Sequence, residues 1–508
     1  MTQDAVDVCT VELGLQELTN RTGLTGGESV LVYETSNVSP HFETSIEIAV
    51  LLSLIGCDVY YIFAGYNLPR SAYYNKFTRS RRGLRKDALK ELVDPTDFRI
   101  RRIFERYNKK LNAKVKVVEK YSFRPVAGLC CLEEGDVSSI RALTYKGCSD
   151  YGESIAGSLC AITGEENTLV RGKLLKEAQR FSDSYITSYQ IISLAEQELG
   201  FSFHSAVVFN GRFPWIRGAI QRLKESDARV FFHERGPSMH RYFLSDSEPH
   251  KRVAYQEDCR LLWKNRKDRV SCEAIGKSYY INQREGADQV WTSFSKEQVN
   301  GLAKQILEKG KASCSSGRTV LFFSSSENEL LAIRDFWQAE SPASFEWNSQ
   351  RHAVEMLARA CQEVGHQLIV RVHPHMRKKT NSIREQWDGL CFLNKTLRRS
   401  VIVVKSDSLV SSYELLDGAD VIVSNGSTVG IEAVYWNKPS ILLGHAYYDE
   451  TGVTLLKPYT YKQLVGHLRD FEEHRVDPSS AVPYGYFMKV HGVPHCIYKP
   501  RSLFKGKI

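Results

Sequence analysis

No stretch of this 508-residue chain stays apolar for the roughly 20 residues that cross a bilayer. The longest such run, residues 48–56, is closed off by Glu47 and Asp58. The first residues, Met1-Thr2-Gln3-Asp4-Ala5, offer neither a basic start nor an apolar stretch, so no secretory signal is expected and the chain is placed in the cytoplasm. There are 12 cysteines but no Cys-x-x-Cys pair; Cys130 and Cys131 are adjacent, and Cys57, Cys160 and Cys361 lie inside apolar segments. Reduced core thiols are expected, rather than a disulfide framework or a zinc site. An Asp-x-Asp element, of the sort that holds a divalent ion, is also missing. So are internal repeats of solenoid period and low-complexity tracts.

What is present is ordinary for a globular chain: 42% hydrophobic and 25% charged residues. The length exceeds what one hydrophobic core supports and suits two large domains. The formal net charge is +9, and the excess is local. Residues 70–124 carry about three basic residues for each acidic one, with clusters at Arg79-Ser80-Arg81-Arg82 and Lys109-Lys110. Such a patch suits anionic lipid headgroups or a polyanionic substrate; a solvated helical face is the bland alternative. No aromatic rhythm or reader motif accompanies it, so nucleic acid is not an expected partner.

The order of elements points to an α/β fold. Ser29-Val30-Leu31-Val32-Tyr33-Glu34 reads as a buried strand and residues 43–55 as a helix stopped by Gly56. Asp58-Val59-Tyr60-Tyr61-Ile62-Phe63 follows as a second strand, completing a β-α-β unit of a doubly wound sheet. The pattern returns in Ala206-Val207-Val208-Phe209 and in residues 229–233. A second series opens with Thr319-Val320-Leu321-Phe322-Phe323 and continues with strands at 367–372, 401–404, 421–423 and 440–443. The expected layout is a Rossmann-like domain over 1–305 with a helical, basic insertion at about 70–125. A linker over 306–318 follows, then a second Rossmann-like domain over 319–478. A tail, 479–508, packs back on the first domain. Two such domains facing across a cleft describe the GT-B architecture.

Ligands in doubly wound sheets sit at the carboxyl ends of the strands. Arg371-Val372-His373-Pro374-His375 leaves the sheet there, and Ser406-Asp407-Ser408 follows the next strand. Val421-Ile422-Val423 then gives way to Ser424-Asn425-Gly426-Ser427-Thr428-Val429-Gly430-Ile431-Glu432-Ala433. A strand that stops, a turn holding Gly426, and a helix capped by Ser427 or Thr428 suit a phosphate. Ser324, Ser325 and Ser326 line that phosphate or form a turn. Glu432, one turn into the helix, reaches a ribose or sugar, or makes a surface salt bridge.

The His-Pro element, the serine-rich segment and the Ser-Asn-Gly-Ser-Thr-Val-Gly-Ile-Glu-Ala stretch followed by Tyr435-Trp436-Asn437-Lys438-Pro439 resemble the capsule polysaccharide biosynthesis glycosyltransferases. That group includes transferases of 3-deoxy-manno-octulosonic acid (Kdo). More distantly the same elements are similar to bacterial sialyltransferases and teichoic-acid glycerophosphotransferases. The resemblance implies His373, Ser427 and Thr428 as nucleotide-binding residues. It extends, more weakly, to Phe209-Asn210-Gly211-Arg212-Phe213 and His233-Glu234-Arg235-Gly236. The implied activity is metal-independent, cofactor-free transfer of a sugar from a CMP- or UDP-linked donor to a surface polysaccharide or lipid-linked glycan; the basic region over 70–124 separately suggests peripheral contact with an anionic membrane.

A glycerophosphotransferase, a sugar-nucleotide epimerase and an inactive binding subunit remain alternatives. Asn210, Arg212, Glu234 and Arg235, in loops after successive strands, are the candidate acceptor-binding residues. His41 and Glu43, in the first strand-to-helix loop, are the candidate general base; capping the helix is the alternative role. Asp150 and Glu153 compete with them.

Overall fold

The computed structural model describes residues 8–36, 38–65, 68–69, 95–118, 130–165, 168–287, 298–299, 301–326, 331–332, 344–378, 381–502 and 505–508. The chain forms two units, Met1–Pro249 with His491–Ile508, and His250–Val490. Both are mixed α/β, each around a largely or wholly parallel sheet.

The first unit contributes β1 (Ser29–Glu34), β2 (Asp58–Phe63), β3 (Val115–Val117), β4 (Ser205–Phe209), β5 (Arg229–Arg235) and β6 (Arg241–Ser245). Their order is β3-β2-β1-β4-β5-β6, with a short strand Val493–Pro494 beside β6. Strands β1 to β5 are parallel, β6 runs antiparallel to β5, and Val493–Pro494 pairs antiparallel with β6. Strand β1 is buried throughout, which explains its unbroken apolar run: a parallel strand covered on both faces has no solvent side to mark with polar residues. The helix His41–Ile55 that follows begins two residues before the expected start and ends on Gly56 at φ 99°. Strand order reverses between β1 and β4, and that switch opens a crevice at their carboxyl ends.

A buried carboxylate closes this unit. Glu47, in the middle of His41–Ile55, is fully buried and accepts the backbone N–H groups of Cys496 at 2.8 Å, Tyr498 at 2.7 Å and Ile497 at 3.3 Å. A charge removed from water requires such donors. Of the basic region, residues 70–94 and 119–125 lie outside the described residues, the Arg79–Arg82 cluster among them. The rest belongs to the sheet domain itself: the helix Pro95–Leu111 buries Ile100, Ile103, Phe104 and Tyr107 in the core, and β3 forms the sheet edge.

The second unit contributes β7 (Thr319–Phe323), β8 (Gln367–Arg371), β9 (Val401–Val404), β10 (Val421–Ser424) and β11 (Ser440–Leu442). All are parallel, in the order β9-β8-β7-β10-β11. The topology repeats that of the first unit, and its switch point falls between β7 and β10.

Two expected boundaries differ. The units divide at Pro249/His250 rather than near residue 305. The helices Arg252–Lys264 and Arg269–Glu285 belong with the second unit because the helix Val482–Val490 packs directly on them. Gly276 and Gly485 permit that approach: a Cβ at Gly485 would lie 2.3 Å from the carbonyl oxygen of Gly276. Buried Arg252 also pairs with Asp449 at 2.7 Å. The expected linker is not one either. A helix, Ala303–Ala312, occupies its first half and buries Ala303 and Leu307 against Leu321, Phe323 and Ile369. Its lysines and glutamates disguise an apolar stripe at i, i+4. Of the tail, residues 482–490 form the packing helix and residues 491–508 join the first unit. Among the described residues no helix is long and apolar enough to cross a membrane.

Candidate functional site

In the second unit three strand-end loops are bonded together at the switch point. Ser324, after β7, accepts the backbone N–H of His373, after β8, at 2.8 Å. Ser325 donates its hydroxyl to the carbonyl of Asn425, after β10, at 2.5 Å, and its own N–H goes to Gln350 Oε1 at 2.6 Å. Ser324, Ser325 and Ser326 are buried, and the first two act as ties between loops. His373 and Pro374 are half-buried. The N–H of His375 points at His373 Nδ1, 3.1 Å away, so Nδ1 accepts and the ring proton sits on Nε2. Pro374 opens a short 3-10 helix, Pro374–Lys378, where its missing N–H costs nothing.

Several predicted residues have other work. Arg371 is buried, and its guanidinium donates to the carbonyls of Lys405 at 2.6 Å and Ser408 at 3.1 Å. Burial lowers its pKa to about 10, which leaves it charged at neutral pH. It braces the loop after β9, where the Ser408 carbonyl serves Arg371 and the Ser408 hydroxyl accepts the N–H of Val410 at 3.4 Å.

The expected side-chain cap is absent. Thr428 precedes the helix Val429–Tyr435 in helical conformation, φ −60° and ψ −21°, from which its hydroxyl makes no capping bond. Tight backbone bonds occupy the first turn instead: Gly430 N–H to Ser427 O, and Ile431 and Glu432 N–H to Thr428 O, each at 3.1 Å. Asn425, Gly426, Ser427 and Thr428 are half-buried beside it. Glu432 makes no surface salt bridge. It is buried, accepts the Tyr413 hydroxyl at 2.5 Å, and burial raises its pKa.

In the first unit Glu234 gathers the predicted residues at the switch crevice. Asn210, held at φ 60°, donates Nδ2 to Glu234 Oε2 at 2.6 Å. His41 Nδ1 lies 3.4 Å from Glu234 Oε1, and its ring centre is 4.2 Å from that of Phe209. Glu234 Oε1 also accepts the N–H of Arg235 at 2.8 Å. Arg212 lies over the Phe213 ring at 4.6 Å. Burial lowers the His41 pKa, against the pull of Glu234, so the imidazole is neutral at pH 7.

Glu43 pairs with Arg99 at 3.2 Å. The helix cap position is Pro40, with no side-chain capping bond, so neither His41 nor Glu43 is the cap. Asp150 is committed to buried Arg217 at 3.0 Å, which also grips Glu248, and Glu153 is exposed.

Two residues at this crevice are not among the candidate site residues. Glu34 and His233, both without exposure, face each other at 3.7 Å. Glu34 Oε1 accepts the N–H groups of Thr35 and Ser36, each at 2.8 Å. Burial pushes Glu34 up to about 7 and His233 down to about 3. The available signal was polarity inside otherwise apolar strands. Among the described residues no group of three or more His, Cys, Asp or Glu is placed to hold a metal ion.

Residues 342–474, which contain His373 and the Asn425–Thr428 loop, match the sequence model of the capsule polysaccharide biosynthesis proteins. The expected family is the one that matches. No curated protein matches the chain. Similar solved structures include KpsC of Thermosulfurimonas dismutans, a β-Kdo 2,4 transferase, at 13% identity over 56% of this chain and 79% of that one, TM-score 0.34. A putative UDP-N-acetylglucosamine 2-epimerase from Listeria monocytogenes is 9% identical over 91% and 93%, TM-score 0.29. A transferase from Siraitia grosvenorii in complex with UDP is 10% identical over 91% and 94%, TM-score 0.24.

Proposed function

We propose that this chain is a GT-B glycosyltransferase that moves a sugar from a CMP- or UDP-linked donor to a surface polysaccharide or lipid-linked glycan. The observation that carries the reading is the junction of Ser324, His373 and Asn425 loops at the second unit's switch point, within or beside the segment that matches the capsule family. There His373 is the side chain we assign to a nucleotide phosphate, with Ser427 and Thr428 beside it.

The first unit binds the acceptor. A neutral His41 takes the proton of its attacking hydroxyl, and Glu234 steadies the imidazolium that results. Glu43, tied to Arg99 at 3.2 Å, is the second candidate. The transfer proceeds without a metal. Peripheral contact with an anionic membrane is part of the reading, through Arg101, Arg102, Arg106, Lys109 and Lys110 exposed on the helix Pro95–Leu111.

Calorimetry with CMP, CDP, UDP and GDP tests the proposal. One of them binds the wild-type chain, and His373→Ala weakens that binding by about 1–3 kcal/mol, the scale of a hydrogen bond to a charged group. Unchanged affinity in a folded variant would remove His373 from the site. Consumption of a nucleotide sugar with no acceptor present would instead favour the epimerase reading.

A further inference from the structure

We propose that His445 and Phe345 form the nucleobase subsite of the second unit, with Asp449 as the positioning residue for His445; this rests on the donor-nucleotide reading above. His445 follows β11, the strand next to β10, so it shares the sheet edge that carries Asn425–Thr428. The turn is pressed onto that loop: Asn425 Nδ2 donates to the carbonyl of Leu443 at 3.3 Å, and a Cβ on Gly444 would come within 2.5 Å of Asn425 Oδ1. The segment before the helix Gln350–Val364 runs along the same edge. Its Gln350 holds Ser325, its Trp347 donates Nε1–H to Leu443 O at 2.6 Å, and its Phe345 meets the His445 ring edge-on at 5.2 Å. Tyr459 adds a third ring, 5.0 Å from Phe345. Phe345, His445 and Tyr459 are all half-buried, which leaves aromatic surface for a planar base.

The polar half of the subsite is set from behind. Asp449 is buried and receives Arg252 Nη1 at 2.7 Å and Gln256 Nε2 through one oxygen. Its other oxygen, Oδ2, makes no hydrogen bond and lies 3.6 Å from His445 Nδ1. Burial would push Asp449 up, but His445 and Arg252 outweigh it and hold the carboxyl below its ordinary range. A carboxylate facing Nδ1 keeps the ring proton there and leaves Nε2 as an acceptor. The complementary ligand group is an N–H on the edge of a nucleobase, not a phosphate oxygen. Spacing agrees with this division. His373 and His445 follow strands three places apart, about 14 Å at about 4.8 Å per strand. A nucleoside diphosphate, extended from phosphate to base, fills that span.

The test titrates the full chain with CMP, UDP and GDP, and separately with inorganic pyrophosphate, by calorimetry. Whichever nucleotide binds most tightly should lose about tenfold affinity in His445→Ala and in Phe345→Ala, about 1.4 kcal/mol. Pyrophosphate affinity and the thermal midpoint should stay as in the wild type, and His445→Gln, which restores an acceptor, should recover part of the loss. Asp449→Asn should weaken nucleotide binding in the native background but add nothing to His445→Ala, a coupling that a merely structural loss lacks. If Asp449→Asn does not fold, the His445 and Phe345 variants still decide. Nucleotide affinity within twofold of wild type in both, or a parallel loss of pyrophosphate binding, overturns the subsite alone. A wild-type chain that binds none of the three, nor CDP, overturns the donor reading as well.

Discussion

Replacing Glu34 with Gln should make the protein more stable, and increasingly so as pH rises. Glu34 ends β1 with no exposure, and burial lifts its pKa from 4.5 to about 7 against the opposing N–H bonds of Ser36 and Thr35. A carboxyl raised in the folded state binds a proton there more tightly than in the unfolded chain. Stability therefore falls as pH rises from about 4.5, and the loss is complete above about 7. At about 1.36 kcal/mol per pH unit, the penalty grows from about 1 kcal/mol at pH 5 to about 3 kcal/mol at pH 8. Gln cannot ionise and escapes it. Its carbonyl keeps the Thr35 and Ser36 bonds, and its amide faces His233 Nε2, now 3.7 Å from a carboxylate oxygen and without a hydrogen bond. Urea denaturation of both proteins, followed by circular dichroism at pH 5, 6.5 and 8, reads the difference directly. We expect the variant's advantage to widen by about 2 kcal/mol between pH 5 and 8. A constant difference across that range would refute the buried, late-ionising carboxyl.

Three further outcomes are expected. His41→Ala should cost about 10²–10⁴-fold in turnover with donor affinity retained, while Glu43→Gln, already paired with Arg99, costs less than about tenfold; equal losses would return Glu43 to the role of base. Donor consumption measured in excess chelator should match that in its absence, and loss restored by magnesium or manganese would reveal a metal requirement. Glu47→Ala strands the N–H groups of Cys496, Ile497 and Tyr498 and should destabilise the first unit by about 3 kcal/mol or more, with limited proteolysis near residue 495 as the readout.

The strands were legible because parallel strands buried on both faces carry unbroken apolar runs, as β1, β7 and β10 do. Their order was not, since it depends on long-range pairings such as Val30 with Ser205 and Val320 with Val421. The loops holding His373 and Asn425 could be found because a strand that stops must release its next residues at the sheet edge. What those residues do there was harder to read. Arg371 stands at a strand end where ligands are expected, yet carbonyls in the loop after the neighbouring strand claim its guanidinium. Thr428 looked like a cap, yet its own backbone angle prevents it. Glu432 gave no sequence sign that Tyr413 would cover it. The boundary near 305 failed for a similar reason: the helix Val482–Val490 recruits residues 252–285 from more than two hundred positions away.

The grip of Glu47 on Tyr498 joins residues 451 positions apart, and this sets an order of assembly during synthesis. Residues 250–490 form one unbroken unit and can close on themselves as they leave the ribosome. The first unit cannot, because its core helix and the strand beside β6 wait for residues 493–498. At about 5–20 residues per second that wait lasts tens of seconds. The part made first is thus the part finished last. A fragment cut at residue 249 or 490 would keep Glu47 without its donors, so the first unit must be expressed with its distant closing segment, joined by a linker or supplied as a peptide.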